Sequence, residues 1–409
     1  MSVLKNRKQV TFMIGLFMMT YLASYLTRIN FGAIVSEIEA STGISKSLLS
    51  LSLTGSFITY GAGQIVSGVL GDYISPKKLI SLGFMLTISM NLCMTLVFNP
   101  YVMALIWCIN GFAQSFMWPP LVKIMLGTLS EEDYQIATVR VSWGSSIGSI
   151  LIYLISPILI SVAGWKSVFI FSAVSALLML FLFHKYCIDV DIVKKEKASY
   201  QQKTQFRLFH PVVLMIMLAI VLQGMLRDGV TTWMPSLISE TYHLGSSVAI
   251  LTSVVLPIFS ILSFSLTSKI YSKFIKNPLN LSCVLFLVGG VSSLGLILFN
   301  GYHALISVML GALLTGCMHG VNLILICMLP SYFKSTGSVS TVSGVFNSCT
   351  YVGSALSTYG IALLVETFDW TMTLKIWMIV SVIGAFICFL CMSLWDKYKL
   401  YLESFHNDL

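Results

Sequence analysis

Apolar residues recur along the chain in twelve runs of about twenty residues, the length an α-helix needs to cross ~30 Å of hydrocarbon. The runs fall into two sets of six. The first set covers residues 11–36, 47–71, 78–98, 101–127, 135–161 and 166–185, and the second covers residues 211–238, 246–270, 279–299, 303–330, 338–364 and 371–395. This pattern predicts an all-α membrane protein with twelve transmembrane helices.

The two sets are separated by the only long polar segment, residues 185–210, which is rich in lysine and has no apolar periodicity. We interpret it as a linker between an N-terminal six-helix bundle, residues 1–184, and a C-terminal six-helix bundle, residues 211–409. The first apolar run continues past signal-peptide length into Tyr25 and Arg28 without a small-residue cleavage site, so it is expected to remain as a membrane anchor.

Composition and charge support a polytopic membrane protein. Hydrophobic residues make up 56% of the chain and charged residues only 10%, and the mean hydropathy of +0.88 excludes a soluble protein of two or three domains. Most lysines and arginines fall on one side of the predicted spans, and only Lys46, Lys166 and Lys375 fall on the other. The positive-inside rule therefore predicts cytoplasmic termini and a cytoplasmic linker in a cell or inner membrane. It also accounts for the net charge of +8 without nucleic acid as a partner.

The sequence predicts neither a cofactor nor a metal site. The nine cysteines are scattered without paired CxxC spacing or nearby histidine clusters, so we interpret them as buried apolar residues. No nucleotide-binding loop and no nucleophile–base arrangement stands out, which favours a secondary transporter over a pump or an enzyme.

Two arginines lie inside predicted spans at equivalent positions of the two sets. Arg28 lies in the first span and Arg227 in the seventh, 199 residues later, and Lys77 and Lys276 repeat the same interval. An arginine at mid-membrane depth costs at least ~2.5–3.5 kcal/mol, so it usually marks a substrate or ion path. Six-plus-six parallel repeats place a site at the midplane between the halves. We therefore expect the two planar guanidinium groups to face each other and bind an oxyanion.

Polar residues flank both arginines at helical spacing. Tyr21 and Tyr25 share one face with Arg28. Further polar faces are predicted on the seventh span, with Gln223 and Thr231 beside Arg227, and on the eleventh span, with Asn347, Tyr351 and Ser354. Each face alone is also typical of interface anchoring or helix–helix hydrogen bonding. Together they favour a water-filled cavity.

Two glycine-containing segments predict close packing. The turn Gly68–Lys78 combines small residues with Asp72, Lys77 and Lys78, which can bridge to neighbouring helix ends, and we interpret it as a structural latch. Its Gly-x-Leu-x-Asp pattern resembles that of the major facilitator superfamily, which implies a fold of two six-helix parallel repeats. In the fifth span, Gly144 and Gly148 form a small-residue packing face.

Three motifs narrow the resemblance to the organophosphate:phosphate antiporter group, the glycerol-3-phosphate and hexose-phosphate transporters. They are Arg28-Ile29-Asn30-Phe31 after two tyrosines, Gly111 and Gln114 before Trp118-Pro119-Pro120, and Leu226-Arg227-Asp228-Gly229 before Trp233-Met234-Pro235. The resemblance implies that the two arginines are the phosphate-binding pair. The full set of predicted substrate-binding residues is Arg28, Arg227, Tyr21, Tyr25, Gln64, Gln114, Ser145, Tyr351 and Asn347.

The chain departs from the pattern of that group at several positions. Gln64 stands where the glycerol-3-phosphate transporters have a lysine, Ser145 where they have a histidine, and Gly224 where they have a tyrosine. Asp228 is an additional charge that, on an ideal helix, points about 100° away from Arg227. Asp228 and the lone intramembrane His319 are therefore candidates for proton coupling, although helix–helix hydrogen bonding explains His319 equally well.

The favoured hypothesis is alternating-access exchange of a phosphorylated sugar or polyol for inorganic phosphate. The missing lysine and histidine leave open a proton-coupled symporter of a sugar acid or other carboxylate. A transporter-like sensor of sugar phosphates is a third possibility. The predicted partners are the lipid bilayer and a small anion with phosphate or protons, and a monomer is expected.

Overall fold

The computed structural model describes residue 4 and residues 6–44, 46–190, 209–243, 246–336 and 339–407. Within these residues the chain is helical and contains no strand, which confirms the predicted all-α class. Residues 191–208, most of the predicted 185–210 linker, lie outside the described part of the chain.

Eight α-helices form the described part of the first half. They are α1 (Arg7–Ala33), α2 (Val35–Thr42), α3 (Lys46–Tyr73), α4 (Pro76–Met94), α5 (Pro100–Gln114), α6 (Trp118–Thr128), α7 (Glu131–Ala163) and α8 (Lys166–Tyr186). The predicted fourth span contains two helices, α5 and α6, rather than one. Pro119 and Pro120 lack the amide hydrogens that an uninterrupted helix would need, so the chain begins a new helix at Trp118.

The second half contains six α-helices among its described residues. They are α9 (Pro211–Tyr242), α10 (Ser246–Lys273), α11 (Pro278–Phe299), α12 (Ala304–Asn322), α13 (Val339–Thr367) and α14 (Trp370–Asn407). The predicted tenth span begins as α12 and continues through a π-helical segment, Leu323–Met328, into a 3₁₀ segment, Leu329–Thr336.

Asparagine, serine and proline residues set several helix ends. The Asn99 side chain accepts hydrogen bonds from the amides of Tyr101 and Val102 at the start of α5, and Pro100 occupies the first turn. Asn277 caps α11 in the same way ahead of Pro278. Because these caps satisfy amides that have no partner inside the helix, they fix where the helices begin.

Eight helical segments in the described part of the chain are long and apolar enough to cross a membrane. On α7, Leu154, Ile158 and Val162 are exposed at four-residue spacing and therefore form an apolar stripe. A stripe of this kind suits contact with lipid rather than water.

The chain forms two compact units. One contains Met1–Lys194 with Ser338–Ser348, and the other contains Lys195–Gly337 with Cys349–Leu409. The core of the first unit includes the rings of Phe31, Trp107 and Phe169, and the second contains an aromatic cluster around Tyr332 and Trp395. The predicted division at residues 1–184 and 211–409 stays a prediction.

Candidate functional site

Aromatic rings surround Arg28 in the first unit. Its guanidinium carbon lies 3.8 Å from the ring centroid of Tyr60 on α3 and 5.4 Å from that of Tyr25 on its own helix. The Tyr21 ring lies 5.3 Å from both the Tyr25 ring and the Trp118 ring. Such cation–π contacts hold a guanidinium in place without neutralising its charge. The predicted grouping of Tyr21, Tyr25 and Arg28 is therefore present, and Tyr60 and Trp118 complete it.

Side-chain amides from neighbouring helices bind the backbone just before Arg28. The carbonyl oxygen of Thr27 accepts hydrogen bonds from Asn91 at 3.3 Å and from Asn110 at 3.1 Å. The Thr27 hydroxyl accepts another from Gln114 at 2.8 Å, and Asn30 donates to Asn91 at 2.7 Å. All five residues are buried. This amide network fixes α1 against α4 and α5 and so positions Arg28.

The predicted packing face on α7 also fixes α1. A Cβ on Gly144 would lie 2.5 Å from the Met18 carbonyl oxygen, and one on Gly148 would lie 2.9 Å from that of Leu22. Only glycine allows α1 and α7 to approach so closely, so the prediction of a small-residue interface is confirmed.

Several other predicted substrate-binding residues are engaged with protein groups. Gln64 is completely buried and accepts a hydrogen bond from Asn347 at 3.0 Å, while its Nε2 has no partner among the described residues. The Ser145 hydroxyl donates to the Ser142 carbonyl within α7, and Tyr351 is half-buried on α13. Together with Gln114, these residues remain predictions as substrate contacts.

Asp228 binds Arg227 directly in the second unit. Arg227 Nε donates to Asp228 Oδ1 at 2.7 Å, and Nη2 donates to Oδ2 at 2.8 Å. The expectation that Asp228 points away from Arg227 was wrong. Adjacent Cβ atoms do diverge by about 100° around a helix, but the arginine side chain is long enough for its guanidinium to reach the neighbouring carboxylate.

Glycines bring α13 against α9 beside this ion pair. A Cβ on Gly224 would collide with the Thr350 carbonyl oxygen, and one on Gly353 would collide with that of Val221. A tyrosine, which the antiporter pattern has at this position, therefore has no room in place of Gly224. The close approach allows the Ser354 hydroxyl to donate to Asp228 Oδ2.

His319 on α12 is half-buried beside the Phe264 ring, with ring centroids 5.5 Å apart. Its buried Nδ1 has no hydrogen-bond partner in the described part of the chain. Electrostatic interactions connect it with both Arg227 and Asp228. The structure thus brings together the two residues that the sequence nominated for proton coupling, and their coupling role stays a prediction.

The predicted latch at Gly68–Lys78 binds helix ends. Asp72 accepts hydrogen bonds from the amides of Ser340 at 3.1 Å and Thr341 at 2.9 Å, in the first turn of α13. Lys123 lies 3.5 Å from the Asp72 carboxylate. Lys77 donates at 2.7 Å to the Cys187 carbonyl at the end of α8. The prediction that the acid and a base of this segment bridge to helix ends is confirmed.

Sequence reasoning predicted Gln114 as a site residue but missed Tyr60, Trp118 and the other members of the amide network. A signal existed for the network, because Thr27, Asn91 and Asn110 are polar residues inside apolar runs. No pattern in one sequence indicates that Tyr60 lies over Arg28, since that contact depends on the packing of two separate helices.

Comparison with known proteins matches residues 17–358 to the model of the Major Facilitator Superfamily. A probable hexose phosphate transport protein of Chlamydia muridarum is 28% identical over 40% of this chain and 36% of its own length. Alignments with two further Chlamydia relatives cover 36% and 32% of their length.

Two relatives align over most of the chain. A glycerol-3-phosphate transporter of Bacillus subtilis is 25% identical over 90% of this chain and 89% of its own length. The membrane sensor protein UhpC of Escherichia coli is 22% identical over 86% of this chain and 85% of its own length. The solved structure of the proton:xylose symporter XylE superposes with a TM-score of 0.74 at 14% identity, covering 94% of this chain and 96% of that one. The predicted twelve-helix fold is therefore confirmed.

Proposed function

Because this chain belongs to the Major Facilitator Superfamily, we propose that it is a secondary transporter that exchanges a phosphorylated sugar or polyol for inorganic phosphate. The similarity to hexose phosphate and glycerol-3-phosphate transporters supports this substrate class. Membership of a superfamily of transporters also confirms the expectation that the chain is not an enzyme.

One observation carries the proposal: Arg227 already holds an oxyanion. The Asp228 carboxylate stands in for the oxygens of a phosphate, with two parallel N–H···O contacts at 2.7 and 2.8 Å. This fork geometry is the one by which arginine binds phosphate or carboxylate. We propose that Arg28 in the first unit, held by the amide network and by Tyr60, supplies the second guanidinium.

Two other functions have specific support. A carboxylate symporter is favoured by the same contact, because the group that Arg227 holds is a carboxylate, and Gln64 and Ser145 replace a cation and a titratable group. A sugar-phosphate sensor is favoured by the alignment with UhpC over 86% of the chain. Uptake by the purified protein alone would separate a carrier from a sensor.

We further propose that the protein is a monomer of a cytoplasmic or inner membrane with both termini and the 185–210 linker in the cytoplasm. The test places single cysteines at Ser199 and, for contrast, at Ser41, and labels intact cells with an impermeant thiol reagent. Labelling of Ser41→Cys with protection of Ser199→Cys is expected. Preferential labelling of Ser199→Cys would reverse the orientation.

The test of function compares Arg28→Lys and Arg227→Lys with the unchanged protein. Lysine keeps the charge but loses the planar fork. A charge-assisted hydrogen bond is worth roughly 1.5–3 kcal/mol, so each substitution should weaken anion binding about ten- to over a hundred-fold. Arg7→Lys is the matched control, because Arg7 lies at the exposed start of α1 and pairs with Asp133.

The transport assay uses proteoliposomes preloaded with phosphate or prepared with a pH difference. Phosphate-driven uptake of a sugar phosphate or glycerol phosphate that both lysine variants abolish would support exchange. Uptake of a sugar acid driven only by the pH difference would favour the symporter. Near-native binding and transport in both lysine variants would remove the arginine pair from the proposal.

A further inference from the structure

The Arg227–Asp228 ion pair occupies the Nε/Nη2 edge of the guanidinium, one of the two edges by which an arginine binds an oxyanion through two parallel hydrogen bonds. Both carboxylate oxygens are engaged, Oδ1 by Nε and Oδ2 by Nη2. The side chains of Arg227 and Asp228 retain 16% and 29% of their accessible surface, so the pair is only partly buried. An anion that binds this edge must first replace Asp228.

We propose that Asp228 is an internal counter-ion, which occupies the Arg227 fork in the absence of substrate and competes with the substrate's oxyanion for it. The inference rests on the proposed function, because it concerns the same anion site. It adds that the chain's own carboxylate sets how tightly the site holds its ligand.

Partners for the displaced carboxylate lie next to the pair. The Ser354 hydroxyl donates to Asp228 Oδ2 and is also 2.9 Å from the Thr350 carbonyl oxygen. Since a hydroxyl has one hydrogen, it can serve either acceptor and stays satisfied when Asp228 moves. His319 interacts electrostatically with Asp228, and its buried Nδ1 has no hydrogen-bond partner among the described residues. It is therefore a candidate donor to the carboxylate.

The exchange of one anion for another avoids an unpaired arginine in the membrane interior, where an isolated charge is costly. The free energy of substrate binding then equals the interaction of Arg227 with the substrate's oxyanion minus its interaction with Asp228. This difference lowers affinity but favours release, which an exchanger needs in every cycle.

The test measures binding of inorganic phosphate and inorganic sulfate to the purified full-length protein by calorimetry. Asp228→Asn should bind both anions about tenfold or more tightly than the unchanged protein. Asp396→Asn is the matched control, because Asp396 is exposed and accepts a hydrogen bond from Asn277 far from this pair in the sequence. It should leave affinity unchanged. Asp228→Ser, a smaller neutral variant, should repeat the gain if Asp228→Asn does not fold.

If Asp228 serves only to hold Arg227 in position, the opposite result is expected. If the carboxylate positions Arg227, its removal weakens binding, and weaker, equal or undetectable binding in both neutral variants would overturn the inference. The increase in anion affinity must also depend on the Arg227 guanidinium. The double variant Arg227→Lys, Asp228→Asn should therefore show no increase. A separate measurement tests the exchange function: if the unchanged protein shows no phosphate-driven uptake, the proposed exchange is wrong, whatever the binding experiment shows.

Discussion

The side-chain amide of Gln114 donates a hydrogen bond to the hydroxyl of Thr27, with 2.8 Å between Nε2 and Oγ1. Both residues are buried, and Thr27 directly precedes Arg28. A residue that the sequence nominates as a substrate contact thus supports the arginine through the backbone of α1.

Thr27→Val should destabilise the protein by about 1–3 kcal/mol, because it leaves the buried amide of Gln114 without its acceptor. Thermal unfolding in detergent measures the change. Thr20→Val is the matched control, since the Thr20 hydroxyl donates to the Leu16 carbonyl of its own helix. Combining Thr27→Val with Gln114→Leu should cost less than the sum of the two changes. Strict additivity would show that the bond contributes nothing.

Asp72→Ala should speed hydrogen exchange at the amides of Ser340 and Thr341. Both N–H groups lie in the first helical turn, where they have no intrahelical acceptor, and the carboxylate also favours the positive end of the helix. Hydrogen-exchange mass spectrometry on the segment after residue 339 measures the effect, with the exposed Asp396→Ala as control. Unchanged protection in Asp72→Ala would mean that another group holds this helix end.

Gly144→Ala should lower the unfolding temperature, because its Cβ would lie 2.5 Å from the Met18 carbonyl oxygen and would force α1 and α7 apart. Gly15→Ala should be neutral or stabilising, since in the described part of the chain no atom outside the local helix backbone lies within 4 Å of its Cβ position, and alanine favours a helix by about 1 kcal/mol over glycine. Thermal unfolding of the two variants is the measurement. Equal effects would contradict a close-packed α1–α7 interface.

Cys187, beyond the end of α8, should react slowly with alkylating reagents. Burial raises the pKa of its thiol from 9.0 to about 12; Lys77 opposes this shift and Asp189 adds to it. Since the thiolate is the reactive form, its fraction at pH 8 falls about a thousand-fold. Mass spectrometry of the Cys187 peptide, before and after denaturation in detergent, gives the rates. Equal rates would contradict the burial.

The raised pKa of Cys187 also predicts how the stability of the protein changes with pH. The folded state keeps the Cys187 thiol neutral, whereas the unfolded chain loses the proton above about pH 9. The contribution of Cys187 to stability is therefore complete below pH 9 and declines as pH rises from 9 to 12. Cys187→Ala should remove that part of the alkaline loss in thermal unfolding.

The spans were predicted from local sequence, and several helix ends carry a local signal that the prediction did not use. Apolar runs of membrane length predict the spans, and Asn99-Pro100 and Asn277-Pro278 mark starts because their chemistry caps a helix whatever surrounds it. The break before Trp118 was missed because the apolar run continues through it, although Pro119 and Pro120 carried the signal. The π-helical segment Leu323–Met328 has no comparable local signature.

The candidate site was predictable in its residue types but not in its pairings. Spacing placed Tyr21, Tyr25 and Arg28 on one face, because that depends only on helical period. The contact between Arg227 and Asp228 depends on how a long side chain bends, and that of Asn347 with Gln64 depends on helix packing. Neither the conformation of a side chain nor the packing of two helices can be derived from one sequence.

The position of Trp118 has a practical consequence for spectroscopy. Its indole ring is buried, lies 5.3 Å from Tyr21, and has an N–H without a partner among the described residues. Because indole fluorescence responds to the polarity around the ring, an anion bound at the proposed site beside Tyr21 should change the emission of this tryptophan. The protein thus carries its own optical probe of occupancy, and the signal can be identified by its loss in Trp118→Phe.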